Sequence, residues 1–224
     1  MASKPRAWVS WSSGKDAAWA LHVARAEGEL EIAGLLTTVN EAFDRVAMHG
    51  VRRELLEAQA QAVGLPIHVV PLPFPCSNEA YEARMRTAIE AARAAGVTRM
   101  IFGDVFLEDV RRYRESRLEG TGIAPVFPLW GRPTGPLARE MIDAGVRAHI
   151  ATLDPARVPR ELAGRVVDHS LLDALPPGVD PCFENGELHT FVAAGPMLSR
   201  AIPVRAGAIV ARDGFVYADL VLGA

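Results

Sequence analysis

Cysteine is nearly absent: two residues in 224, Cys76 and Cys182, far apart and each beside a proline. No C-x-x-C occurs, which argues against a zinc ribbon or a redox pair. Reduced thiols in a cytoplasmic protein are the expectation. A surplus of charge is also lacking. The formal net charge is −3, whereas a protein that lives on phosphate-backbone contacts is usually basic, so no nucleic-acid partner is expected. No run approaches the roughly 18 apolar residues of a membrane helix. Residues 1–6 carry no apolar signal core, and no membrane partner is expected. Aromatic residues make up 7% of the chain and apolar residues half of it. That balance suits an ordinary α/β protein, built as one large domain or two small ones.

Two common phosphate-binding patterns are missing as well. No G-x-G-x-x-G follows the first strand-like run. Of G-x-x-x-x-G-K-[ST], only Gly14–Lys15 is present, followed by Asp16. What stands there is Trp11-Ser12-Ser13-Gly14-Lys15-Asp16, between a strand pattern at 7–11 and a helix pattern at 16–26. Ala17, Ala20, Leu21 and Ala24 share one face of that helix. Small hydroxyl residues and a glycine ahead of a helix can aim backbone N–H groups at one point, which favours an anion, most often phosphate. Lys15 adds positive charge, and Asp16 offers carboxylate oxygens suited to Mg2+. The plain alternative is a strand-to-helix turn without a ligand.

The first half alternates strand and helix patterns. Strands are predicted at 32–38, 67–71, 99–103 and 123–127. Helices are predicted at 51–63, stopped by Gly64, at 77–95, capped by Ser77, and at 107–118. Such alternation implies an α/β fold with a mostly parallel five-stranded sheet and right-handed crossovers. Ligands then bind beyond the carboxyl ends of the strands. That rule groups the Ser12–Asp16 loop with residues 37–41, which start at Thr37, and with residues 104–109. The Gly- and Pro-rich stretch 130–136 marks a boundary, giving domains 1–130 and 131–224. Beyond it a helix at 137–144, a strand at 148–153 and antiparallel strands at 188–194, 202–211 and 215–220 predict a smaller α+β domain. Asp213–Gly214 is a hairpin signal.

Two further constellations carry polar chemistry. Asp180-Pro181-Cys182-Phe183-Glu184-Asn185-Gly186-Glu187-Leu188-His189-Thr190-Phe191 packs carboxylates, an amide, an imidazole and a thiol into twelve residues. An exposed hairpin at Asn185–Gly186 is its plain explanation. Gly103-Asp104-Val105-Phe106-Leu107-Glu108-Asp109 ends a strand. Asp104 there is either a helix cap or a group that orients a metal or substrate. The arginines that follow, at 111, 112, 114 and 117, read mostly as a solvated face with i,i+4 pairs, from which one could clamp a phosphate. His49, just before a helix, is a candidate for the same cleft.

The Ser12–Ala17 run resembles the S-G-G-x-D-S loop of PP-loop ATP pyrophosphatases, with Ser13 in place of glycine and Ala17 in place of serine. Together with residues 103–108, Phe127-Pro128-Leu129-Trp130-Gly131-Arg132 and residues 180–191, it resembles the diphthine–ammonia ligase family, the diphthamide-synthesis ATP-binding domain. These motifs run from about residue 9 to 196. The abundance of Ala, Arg and Gly suggests a bacterial member from a GC-rich genome. The resemblance implies a Rossmann-like domain of the adenine nucleotide α-hydrolase type followed by a family-specific domain. It also implies an ATP- and Mg2+-dependent ligase that amidates a carboxylate with ammonia through an acyl-adenylate, releasing AMP and pyrophosphate.

By that resemblance Ser12, Ser13, Gly14, Lys15 and Asp16 match the ATP-phosphate loop, and Thr37, His49 and Gly103 join them as nucleotide-side candidates. Asp104, Glu108, Cys182, Glu184, Asn185, Glu187 and His189 fall on the substrate side. Asp16, Asp104, Glu187 and His189 are the catalytic candidates, and Asp16 the Mg2+ candidate. Phe183 stands where the family commonly has glycine. The acid, small or protein-borne, is left open, as is a homodimer. Alternatives are a PP-loop RNA-thiolation enzyme with Cys182 as sulfur carrier, a nucleotide hydrolase, and a non-catalytic adenine-nucleotide-binding protein.

Overall fold

The computed structural model describes residues 3–223. Its first sheet is built from β1 (Arg6–Ser10), β2 (Glu31–Asn40), β3 (Arg45–Val46), β4 (Ile67–Leu72), β5 (Arg99–Ile101) and β6 (Ala124–Val126). Five strands run parallel in the order β4-β2-β1-β5-β6. The chain winds outward from β1 through β2 to β4, then returns to place β5 on the other side of β1. The crevice between the ends of β1 and β5 is thus the topological switch point, where open α/β sheets hold their ligands.

Short β3 was not expected from the sequence. Two residues carry no periodicity, and β3 forms because the chain doubles back antiparallel onto Val39 and Asn40. Helices cover both faces. α1 (Lys15–Glu27) and α2 (Arg53–Val63) lie on one face, α3 (Asn78–Ala94) and α4 (Glu108–Leu118) on the other. Ser77 caps α3 as expected, its hydroxyl accepting from the Ala80 N–H at 3.2 Å. Asp104 does not cap α4. That helix starts at Glu108 with Leu107 at its cap position and no side-chain cap bond, so the capping explanation of Asp104 falls.

The second sheet is antiparallel, ordered β8-β7-β10-β9, from β7 (Arg147–Leu153), β8 (Leu188–Ala194), β9 (Val204–Arg212) and β10 (Phe215–Leu222). Asp213 and Gly214, both at positive φ (51° and 83°), make the tight β9–β10 turn. Two helices, α5 (Thr134–Asp143) and α6 (His169–Asp173), complete this part. α1 joins the two sheets. It is buried on nearly every side, with Ala17, Ala18, Ala20, Leu21 and Ala24 all inside. Small side chains let other elements approach it closely. One continuous core runs from Trp11 and Leu21 through Leu55 to Ile150 and Phe191.

Candidate active site

The Ser12–Gly14 loop leaves β1 and turns straight into α1. Ser13 has φ 68°, a left-handed conformation that costs a side-chain-bearing residue about 1–2 kcal/mol. This is the position where the loop resembled by the sequence carries glycine. The Ser13 side chain is buried and its hydroxyl has no hydrogen-bond partner. Gly14 is tightly enclosed. A Cβ there would lie 2.9 Å from Cε1 of His49 and 3.4 Å from the Thr190 carbonyl oxygen. Gly103 is tighter still, since a Cβ would lie 2.6–2.8 Å from the backbone of Asp16 and Ala17. Its absent side chain lets the end of β5 rest on the first turn of α1.

The 180–191 segment comes to the same place. The Lys15 N–H donates to the Thr190 hydroxyl at 3.1 Å, and Lys15 Nζ donates to the Cys182 carbonyl. The Val192 N–H donates to the Ser13 carbonyl at 3.0 Å. Glu184 accepts from the Val105 N–H at 3.1 Å, which ties this segment to the loop after β5. Gln59 fixes the junction from below. Its amide donates to the carbonyls of Ser13 (3.0 Å) and Val192 (2.7 Å) while its oxygen accepts from the Trp11 indole at 3.1 Å. Sequence reading missed Gln59 and Thr190. The available signal for Gln59 was an amide four residues after Leu55 on an apolar helix stripe.

Residues 180–187 are not an exposed hairpin. They form a closed loop whose inside is polar: Asp180 accepts from the N–H groups of Cys182 and Glu184, both at 3.0 Å. Glu187 is 2% exposed, and its Oε1 accepts from the Asp180 N–H and the Asn185 amide at 3.1 and 3.2 Å. Glu187 and Asn185 therefore brace the loop. The Cys182 thiol donates to the Thr134 carbonyl at 3.3 Å, and burial pushes its pKa up to about 12. It remains a thiol at neutral pH. Glu108 is not brought in: its side chain faces solvent and pairs with Arg112.

Asp16, Asp104 and Glu184 share the crevice with Lys15. The Lys15 ammonium is buried and sits 2.6 Å from Asp16 Oδ1. Burial opposes its charge, but Asp16 and Glu184 outweigh that and hold the pKa above the ordinary lysine value. Burial raises the pKa of Asp104, which Arg114 only partly offsets, and Asp104 Oδ2 has no hydrogen-bond partner. Glu184 is raised by burial first and by Asp16 second. Lys15 pairs with Asp16 and Arg114 with Asp104, while Glu184, its pKa pushed up to about 8, stays largely protonated at neutral pH. Oxygen donors fit Mg2+, which binds through one or two carboxylates plus phosphates and water. Among the described residues no three His, Cys, Asp or Glu form a protein-only metal cage, and such a cage is not what Mg2+ uses.

His49 and His189 face each other across the cleft wall, ring centroids 4.6 Å apart. His49 Nδ1 lies 3.1 Å from the Thr190 carbonyl. A carbonyl only accepts, so Nδ1 carries the proton and Nε2 offers a lone pair. Burial lowers the pKa of His49 to about 3 and of His189 to about 4, so both rings are neutral at pH 7. Both line a cleft of about 1170 Å³ that also takes in Ser12 and Thr37. Thr37 is buried with its hydroxyl unpartnered.

A family model described as the diphthamide synthase N-terminal domain matches residues 5–124, and one described as the diphthamide synthase C-terminal domain matches residues 134–217. The chain belongs to the diphthamide synthase family. No curated protein matches it. Family membership agrees with the fold found here, a Rossmann-like parallel sheet followed by a second, antiparallel one. The family uses ATP. Among the described residues no helix is long and apolar enough to cross a membrane.

Proposed function

We propose that the protein amidates a carboxylic acid at the expense of ATP, through an acyl-adenylate. The observation that carries this reading is the junction of the Ser12–Lys15 turn with the 182–190 segment through Lys15, Thr190 and Cys182. A polyphosphate on the α1 N-terminus would meet backbone N–H groups, the helix dipole and the Lys15 ammonium. Adenosine would extend into the cleft past Ser12 and Thr37. Mg2+ bound at Asp16 or Asp104 would neutralise charge that grows on the departing pyrophosphate.

The chemistry balances in two steps. A carboxylate oxygen attacks the α-phosphorus, and the bond to the bridging oxygen breaks to release pyrophosphate. Ammonia then attacks the acyl carbon, AMP leaves with the bonding pair, and the new nitrogen gives up a proton. His49 and His189, neutral and unprotonated at Nε2 or Nδ1, would accept hydrogen bonds from ammonia without competing for a positive charge. Asp104, whose pKa burial raises, is suited to take the proton. A buried Cys182 thiol that stays protonated disfavours a sulfur-relay role.

The deciding experiment incubates the protein with ATP, Mg2+, ammonium and a panel of carboxylic acids. AMP and pyrophosphate in equal amounts, formed only when acid is present, are expected. ADP and phosphate, or acid-independent cleavage, would overturn the reading. Lys15→Met should lower turnover by at least 100-fold.

A further inference from the structure

The cleft that takes in Ser12 and His189 has a second, smaller counterpart. An open depression lined by Leu107, Ala156, Arg157, Glu184 and Glu187 shares no residue with it. Glu184 belongs both to this depression and to the crevice at the Ser12–Lys15 turn. Its carboxyl accepts from the Val105 N–H at 3.1 Å, next in the chain to Asp104. It also lies close enough to Asp16 for that carboxylate to raise its pKa. The depression is therefore a separate approach to the crevice, on the far side of the 180–187 loop from the bulk of the cleft.

Glu187 lies on the floor of the depression and is 2% exposed. Its two oxygens are treated unequally. Oε1 accepts from the Asp180 N–H at 3.1 Å and from the Asn185 amide at 3.2 Å. Oε2 is buried and has no hydrogen-bond partner. Both oxygens of a carboxylate are acceptors, and burying one of them unbonded is costly. The guanidinium on the rim does not compensate it. Arg157 donates to the Asn185 carbonyl at 2.9 Å and pairs with Asp154 at 3.4 Å. An oxygen left bare beside a fully bonded twin calls for a donor from outside the chain, and a carboxylate favours a donor that carries positive charge. Oε2 lies beneath the surface of the depression rather than on it. That enclosure favours a donor of water's size over a substituted amine.

We propose that this depression takes up ammonium, that Glu187 Oε2 accepts its hydrogen bond, and that the nitrogen passes Glu184 into the crevice. The assignment rests on the amidation reading and places the uptake of its nitrogen substrate. Nucleotide and nitrogen then arrive by different routes, so neither has to wait for the other to leave the cleft.

Titration calorimetry with ammonium chloride in a sodium buffer tests this, with potassium and methylammonium chloride as controls. Ammonium is expected to bind, and both controls to bind about tenfold more weakly or worse. Glu187→Gln keeps the Oε1 acceptor with its two bonds and puts an NH2 group where Oε2 stands. A residue that only braces the loop would tolerate this change. Here it should weaken ammonium by about tenfold or more, while ATP affinity and the urea midpoint stay as in wild type. With an accepted acid, the KM for ammonium should rise by the same factor and kcat should hold. Ala156→Lys, at an exposed position on the rim, keeps the fold and adds a like charge, and should weaken ammonium by about threefold at low salt. The proposal is overturned if Glu187→Gln leaves ammonium binding unchanged, if it weakens ATP in parallel, or if potassium binds as tightly as ammonium, which would make this a general site for monovalent cations. The amidation reading fails separately. Ammonium binding that responds to both substitutions, with no acid yielding AMP and pyrophosphate, removes that reading and leaves the cation site standing.

Discussion

The Thr190 hydroxyl accepts a hydrogen bond from the Lys15 N–H at 3.1 Å, joining the first turn of α1 to β8 across 175 positions of sequence. The first N–H groups of a helix have no partner within it. Here one of them is satisfied by a side chain from the second sheet. The Ser12–Lys15 turn and the C-terminal part are thereby one unit, and a change in either reaches the other.

Thr190→Val keeps the side chain's shape and removes that acceptor. A buried N–H left without a partner costs about 1–3 kcal/mol. Urea denaturation should show a loss of that size. Calorimetry should show weaker ATP binding, because the turn that aims the N–H groups loses its brace. Unchanged stability would mean that the hydrogen bond contributes nothing.

Much of this was legible before the fold. The alternation of strands and helices, the Ser77 cap and the Asp213–Gly214 turn are local signals, and the chain keeps them. The conjunction of Ser12–Asp16 with residues 103–104 followed from strand ends sharing one edge. The burial of Glu187 and of the Cys182 thiol was not legible. It depends on Asp180 folding its loop inward, a hydrogen-bond closure that no periodicity announces. Glu108 stands apart for the opposite reason: it follows Gly103–Asp104 closely in sequence, but the helix it starts turns its side chain to water.

The two facing histidines, His49 and His189, set a pH dependence. In the unfolded chain each titrates near 6.5, whereas in the folded protein burial lowers them to about 3 and about 4. Between those values the unfolded state binds more protons than the folded one. Stability therefore rises with pH through this window and falls as pH drops from about 6.5 toward 4. Denaturation midpoints measured from pH 7.5 to 4.5 should decline, and His49→Asn should flatten the decline. A midpoint that rises on acidification over this range would contradict the neutral pair.

Asp219 behaves in the opposite sense to a buried acid. Arg52 donates to both of its oxygens at 2.8 and 2.7 Å and Arg45 to one at 2.9 Å. These bonds hold its pKa at about 2. A depressed acid contributes stability that is complete above its unfolded value near 4 and is lost as pH falls toward 2. The group is partly exposed, so solvent screens it, and Asp219→Asn should cost about 1–2 kcal/mol at pH 7. The gap between variant and wild type should close between pH 4 and pH 2. Arg45 and Arg52 flank the turn that carries His49, and β10 carries Asp219. The variant should also loosen His49, visible as an upward shift of its NMR titration.

Ser13 combines two costs with no structural return. Its left-handed backbone costs about 1–2 kcal/mol, and a buried hydroxyl without a partner costs about 1–3 kcal/mol. Glycine would remove both, against a loss of about 0.5–1 kcal/mol from its freer unfolded chain. Ser13→Gly should therefore raise stability by about 1 kcal/mol or more in urea. Ser13→Ala, which removes the hydroxyl and keeps the strained backbone, should gain less. Strain kept at a turn that faces a helix N-terminus is expected where the side chain has a use. The use available to this hydroxyl is donation to a phosphate oxygen, a charge-assisted bond of about 1.5–3 kcal/mol. Both variants should then bind ATP at least tenfold more weakly while being more stable. Stability and affinity moving in opposite directions would identify the hydroxyl as a phosphate ligand. An unchanged ATP affinity would reduce Ser13 to an uncompensated defect of the turn.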